Sequence, residues 1–132
     1  MDAVGLDHVN LAFPEDRLDE VIDFYVGTLG LESQFEDPYE AVADDPGLFR
    51  IYLGGGTRFY VNPTDGFEGE PMNYRHLAVR IDEAPEAVRT VLAEADRPID
   101  HEVDREREPL GEYTSFYVPD PFGYTVELMC FG

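Results

Sequence analysis

The chain has 132 residues, 43% of them hydrophobic, with 29 acidic residues against 9 basic ones and a formal net charge of −20. That length allows one domain with a real core, and that hydrophobic content excludes general disorder. The charge excludes nucleic acid and anionic membranes as expected partners, because no basic patch is present to neutralise phosphates.

All nine basic residues are arginine. At low ionic strength such a charge works against the compact state, and in about 1 M salt, where the Debye length is roughly 3 Å, the repulsion largely vanishes. The composition resembles that of proteins from salt-accumulating halophiles. No apolar run reaches the roughly 18 residues of a membrane span, and "MDAVGLDHVN" has no basic stretch leading into an apolar one, so no secretory signal is expected. A single cysteine, Cys130, excludes an internal disulfide and a zinc–thiolate cluster. These features together predict a cytoplasmic protein.

In chain order, "DHVNLAF" alternates as a strand, with Val9, Leu11 and Phe13 on one face and His8, Asn10 and Ala12 on the other. From Glu15 to Leu29 the spacing predicts a helix, with the stripe Leu18, Val21, Ile22, Tyr25 and Leu29 and Gly30 placed to end it. "FEDPYEAVADDPG" (35–47) has no periodicity and reads as an acidic surface loop, able to cover a pocket. "LFRIYLGGGTRFYVNP" predicts two strands around Gly54-Gly55-Gly56. The Gly- and Pro-rich stretch 63–73 reads as a linker.

The same order then returns. "NYRHLAVRI" alternates, with Leu77, Val79 and Ile81 opposite His76, Ala78 and Arg80. A helix is predicted from Ala84 to Ala95, carrying Val88, Val91, Leu92 and Ala95 on one face, with Asp82 as N-cap. "DREREPLGE" (104–112) reads as a solvated charged loop, and His101 as an exposed residue outside the repeat. "YTSFYVPDPFGYTVELM" predicts two strands around a turn. His8 and His76 are 68 residues apart, and Tyr60 and Glu127 are 67 apart. The offset predicts two βαβββ units, at about 1–62 and 74–132 of one 132-residue domain. Their third strands are sought in "LESQFED" and "RPIDHEVD".

Glu127 is the odd residue, a carboxylate between Val126 and Leu128 on a core strand. Buried and unpaired, it would be costly, so it needs a partner or a cation. Parity puts Glu127, His8 and His76 on the mixed faces of the first and last strands. Two imidazoles and a carboxylate hold a divalent cation at roughly 2.0–2.2 Å and leave positions open for substrate. The alternative is that the three simply hydrogen-bond one another in the core.

The segments "DHVNLAF", "VIDFYVGTLGLE", "RHLAVRI" and "FYVPDPFGYTVEL" resemble the vicinal-oxygen-chelate superfamily, which includes glyoxalase I, bleomycin and fosfomycin resistance proteins and extradiol dioxygenases. The resemblance implies an α+β fold in which two βαβββ repeats form an open, eight-stranded, barrel-like sheet, commonly as a homodimer. It implies one divalent metal per site (Fe, Mn, Ni, Zn or Mg), with ligands at positions 8, 60, 76 and 127. Tyr60 departs from the usual Glu or Gln and reads as a wall or outer donor, which leaves His8, His76 and Glu127. The implied function is a glyoxalase-like, metal-dependent reaction on a small oxygen-rich substrate, with Glu127 as ligand and base. An extradiol Fe(II) dioxygenase is the first alternative. Tyr117 stands at the place where such enzymes resemble this chain, whereas Tyr60 and Asn62 occupy the place of their outer histidine. Fosfomycin-type thiol transfer ranks behind it, because only arginines such as Arg58 or Arg80 are available for a phosphonate. A ligand-binding protein without catalysis is the second alternative. Arg58 is expected to pair with a substrate carboxylate or with a surface acid, and Cys130 to be packed rather than catalytic.

Overall fold

A computed structural model describes residues 1–2, 6–68 and 76–132. The chain divides into two compact units, Met1–Glu68 and Gly69–Gly132. In the first, β1 (His8–Pro14) leads into α1 (Leu18–Val21), which continues as a π-helical stretch, Ile22–Thr28. A two-residue strand β2 (Glu32–Ser33), a short helix α2 (Pro38–Ala43) and the strands β3 (Phe49–Gly54) and β4 (Thr57–Thr64) complete the unit. In the second, β5 (Leu77–Ile81), α3 (Pro85–Glu94), β6 (His101–Arg107), β7 (Gly111–Pro119) and β8 (Thr125–Cys130) follow one another. Each unit is a four-stranded mixed sheet, in the orders β1-β4-β3-β2 and β5-β8-β7-β6.

The register shows the repeat residue by residue. Asn10 pairs with Tyr60 and Tyr60 with Arg50, while Ala78 pairs with Glu127 and Glu127 with Tyr117. Both outer strands of each trio run as the sequence offset requires, so the two sheets carry equivalent positions in equivalent places. The expected βαβββ units are therefore present, and neither sheet closes on itself.

One face of each sheet is apolar because β-strand side chains alternate. In the first unit Leu11, Val61 and Phe49 form one row, and Tyr25 from the helix places its ring 4.9 Å from Phe59 and 5.9 Å from Phe13. In the second, Val79, Leu128 and Phe116 form the matching row. Val88 and Leu92 of α3 are buried, and Arg89 lies over the Phe116 ring and pairs with Glu102 of β6, which ties the helix to its own sheet.

Several expectations need correction. The 35–47 segment contains a helix, α2, started by Asp37 Oδ1 accepting from Glu40 N and by Pro38 at its first position. It buries no residue, so its sequence carries no apolar stripe to read. The N-cap of α3 is Ala84, not Asp82, because Pro85 fixes the first turn there. Val91 is exposed, off the Val88–Leu92 line. "DREREPLGE" is not a loop: Asp104 to Arg107 finish β6 and Gly111 begins β7. His101 is exposed as expected but stands inside the repeat, opposite Tyr117. β6 is an edge strand with a single part-buried residue, Val103, so its alternation of charges left no hydrophobic signal. The expected linker begins late, since Pro63 and Thr64 belong to β4, and 69–73 lies outside the described residues.

Candidate active site around Glu127

Glu127 is 7% exposed and its carboxylate is fully engaged. The turn Asp120–Gly123 aims the strand that carries it. Asp120 Oδ1 accepts from Phe122 N at 2.8 Å and Tyr124 N at 2.9 Å, and Gly123 takes φ +97°, where other residues are strained. β8 then alternates Val126 and Leu128 into the core and Glu127 onto the polar face.

Three side chains meet that carboxylate. Ser115 donates to Oε1 at 2.7 Å and Tyr117 donates to the same oxygen at 3.1 Å. His76 Nε2 stands 3.0 Å from Oε2. Arg105 in turn donates to the Tyr117 oxygen at 3.0 Å, which directs the phenol proton to Glu127. The rings of His76 and His101 flank Tyr117, with centroids at 5.5 and 5.7 Å. An open pocket of about 610 Å³ lies over this group, lined by His76, Arg105, Arg107, Tyr113, Tyr117 and Glu127 together with Asp104 and Glu106.

The first unit places His8, Tyr60, Arg58 and Asn62 on its own polar face. His8 Nδ1 is 2.6 Å from Asp7 Oδ2, and its ring meets that of Tyr60 edge-on at 4.8 Å. Arg58 donates to the same Asp7 oxygen at 3.1 Å, so its partner is a surface acid of this chain. The His8 hydrogen bond, and after it the Arg58 charge, holds Asp7 below its ordinary carboxylate value. Asn62 donates to Asn10 at 3.2 Å.

His76, Tyr117 and Glu127 meet in the second unit, and His8, Tyr60, Arg58 and Asn62 share the polar face of the first. Within either unit, among the described residues, no three His, Cys, Asp or Glu side chains gather around a metal position. Ser115, Arg105 and Asp7 escaped the sequence reading. A signal existed for two of them: Ser115 shares strand parity with Tyr117, and Asp7 directly precedes His8. Arg105 was hidden in the charged run taken for a loop. Cys130 is buried within β8, and burial pushes its thiol up to about 11, as suits a packed residue.

Solved structures share this fold across nearly the whole chain. An integron cassette protein from V. cholerae is similar at 21% identity, covering 100% of this chain and 98% of its own, with a TM-score of 0.72. A glyoxalase/dioxygenase from Nostoc punctiforme is similar at 20% identity, covering 100% and 99%, with a TM-score of 0.65. A glyoxalase/bleomycin resistance protein/dioxygenase from Alicyclobacillus acidocaldarius is similar at 22% identity, covering 95% and 91%, with a TM-score of 0.60. The fold is glyoxalase-like. No protein-family profile and no curated protein matches the chain. Among the described residues, no helix is long and apolar enough to cross a membrane.

Proposed function

We propose that the chain is a vicinal-oxygen-chelate enzyme that uses one divalent cation to move a proton on a small, oxygen-rich substrate. The observation that carries this reading is the His76–Glu127 pair in the lining of the pocket. An imidazole nitrogen and a carboxylate oxygen 3.0 Å apart suit two neighbouring ligands at about 2.1 Å from one cation. In the first unit Asp7 occupies Nδ1 of His8 and leaves Nε2 for a ligand bond, the usual arrangement for a metal-bound histidine.

A bound cation would polarise a substrate carbonyl and lower the barrier to removing the neighbouring proton. The chain's own groups do the rest. Ser115 and Tyr117 fix Oε1, which holds the carboxylate plane with Oε2 beside His76, and the Glu127 carboxylate is the group that receives the proton. Arg105 keeps the Tyr117 hydroxyl turned toward Glu127.

A second reading has its own observation. Glu127 is already satisfied by Ser115, Tyr117 and His76, which supports a binding protein that needs neither cation nor catalysis. One experiment separates the readings. Hydroxyacetone is incubated in heavy water with the protein and single divalent cations, and deuterium at its hydroxymethyl carbon is read by mass spectrometry. Exchange that disappears in Glu127→Gln supports proton transfer. Yellow ring-opened product from catechols with Fe(II) and air contradicts it in favour of a dioxygenase. Neither activity with any cation contradicts it in favour of a binding protein.

A further inference from the structure

We propose that Arg105 recognises a carboxylate on the substrate, so that the pocket selects small anionic hydroxycarbonyl compounds over neutral ones. This rests on the pocket above Glu127 being the substrate site. In a chain with 29 acidic residues against 9 arginines, most described arginines are already engaged. Arg17 pairs with Glu20, Arg58 with Asp7, and Arg89 with Glu86 and Glu102, while Arg50 bonds Gln34 and Arg80 lies over the Phe131 ring. Arg105 differs. Among the described residues its one hydrogen-bond acceptor is the neutral Tyr117 oxygen, and no carboxylate lies within ion-pair distance of it. A guanidinium carries five N–H donors in a planar fork that matches a carboxylate, so most of that fork is unused.

Its position suits the task. Arg105 stands opposite Tyr113 in the β6–β7 ladder and lines the same pocket as Glu127 and His76. An anionic substrate is repelled by the Glu127 carboxylate unless a cation holds its charge at a distance. Arg105 is separated from Glu127 by one phenol, which sets that distance, and Arg107 lines the same pocket and adds to the positive charge. Asp104 and Glu106 line the pocket too, but Asp104 accepts from the Thr114 hydroxyl at 2.8 Å and Glu106 alternates with Arg105 along β6. Of the two partners expected for Arg58, a substrate carboxylate or a surface acid, the structure shows the surface acid, Asp7.

The test is calorimetric binding of hydroxypyruvate and of hydroxyacetone, which carry the same adjacent oxygens and differ by a carboxylate in place of a methyl group. The protein is first treated with a chelator, so the result stands apart from whether a cation is bound. The parent is expected to bind hydroxypyruvate at least about tenfold more tightly, the usual scale for one charge-assisted contact. Arg105→Gln should bring the two affinities together, chiefly by weakening hydroxypyruvate binding, and Arg105→Lys should restore part of the difference. A preference that survives in Arg105→Gln, equal affinities in the parent, or no binding of either compound overturns the proposal.

Discussion

Tyr117 stands opposite Glu127 in the β7–β8 ladder, and its hydroxyl donates to the carboxylate at 3.1 Å. The equivalent place in the first unit holds Arg50 opposite Tyr60. One framework thus carries an acid with its donors in one repeat and a tyrosine opposite an arginine in the other.

Ser115 is fully buried and donates the shorter bond to Glu127. Removing a donor to a buried carboxylate leaves part of its desolvation uncompensated. Ser115→Ala is therefore expected to destabilise the protein by about 1–3 kcal/mol, read by urea unfolding. Tyr117→Phe should cost less, because Tyr117 is only half-buried. Equal stability of Ser115→Ala and the parent would show that Glu127 does not depend on this bond.

How much of this was legible in the sequence follows from what each residue type signals. The repeat, the core strands and Glu127 stood out because apolar alternation runs unbroken through "HLAVRI" and "YTVELM". His76 was found by its offset from His8. Helix α2 and the second half of strand β6 were missed because both are solvated on nearly all sides, so neither has an apolar face to betray its period. Arg105 and Asp7 were missed for a related reason: their roles are contacts with single neighbours, which no periodicity encodes.

Core truncation should be severe. Phe59 is fully buried between Tyr25 and Phe13. Phe59→Ala is expected to cost about 3–5 kcal/mol, from lost burial and the cavity left behind. A loss below about 1 kcal/mol in chemical unfolding would mean that the ring cluster is not the core of its unit.

Salt should govern stability. With a net charge of −20, the unfolding midpoint is expected to rise steadily as KCl increases toward molar concentrations. A midpoint that stays flat above about 0.1 M salt would contradict the halophile reading of the composition.

Cys130 gives a pH signature. Burial raises its thiol from 9.0 to about 11 in the fold. The folded state therefore keeps a proton that the unfolded state releases. Its contribution is complete below the unfolded value and is lost as pH climbs through the folded one. Native protein should react slowly with iodoacetamide at pH 9 and quickly in denaturant, and Cys130→Ala should flatten the fall in stability between about pH 9 and 11. Rapid labelling of the folded protein would show the thiol to be accessible.

The central claim, that His76 and Glu127 hold a divalent cation with His8 as the third ligand expected from the repeat, is tested most directly by metal content after loading and exhaustive dialysis. The parent is predicted to keep one divalent ion per chain, and His8→Ala, His76→Ala and Glu127→Gln to lose it while circular dichroism still reports the parent fold. Folded His76→Ala and Glu127→Gln proteins with the parent's metal content, or a parent that retains none of the offered cations, would contradict the account.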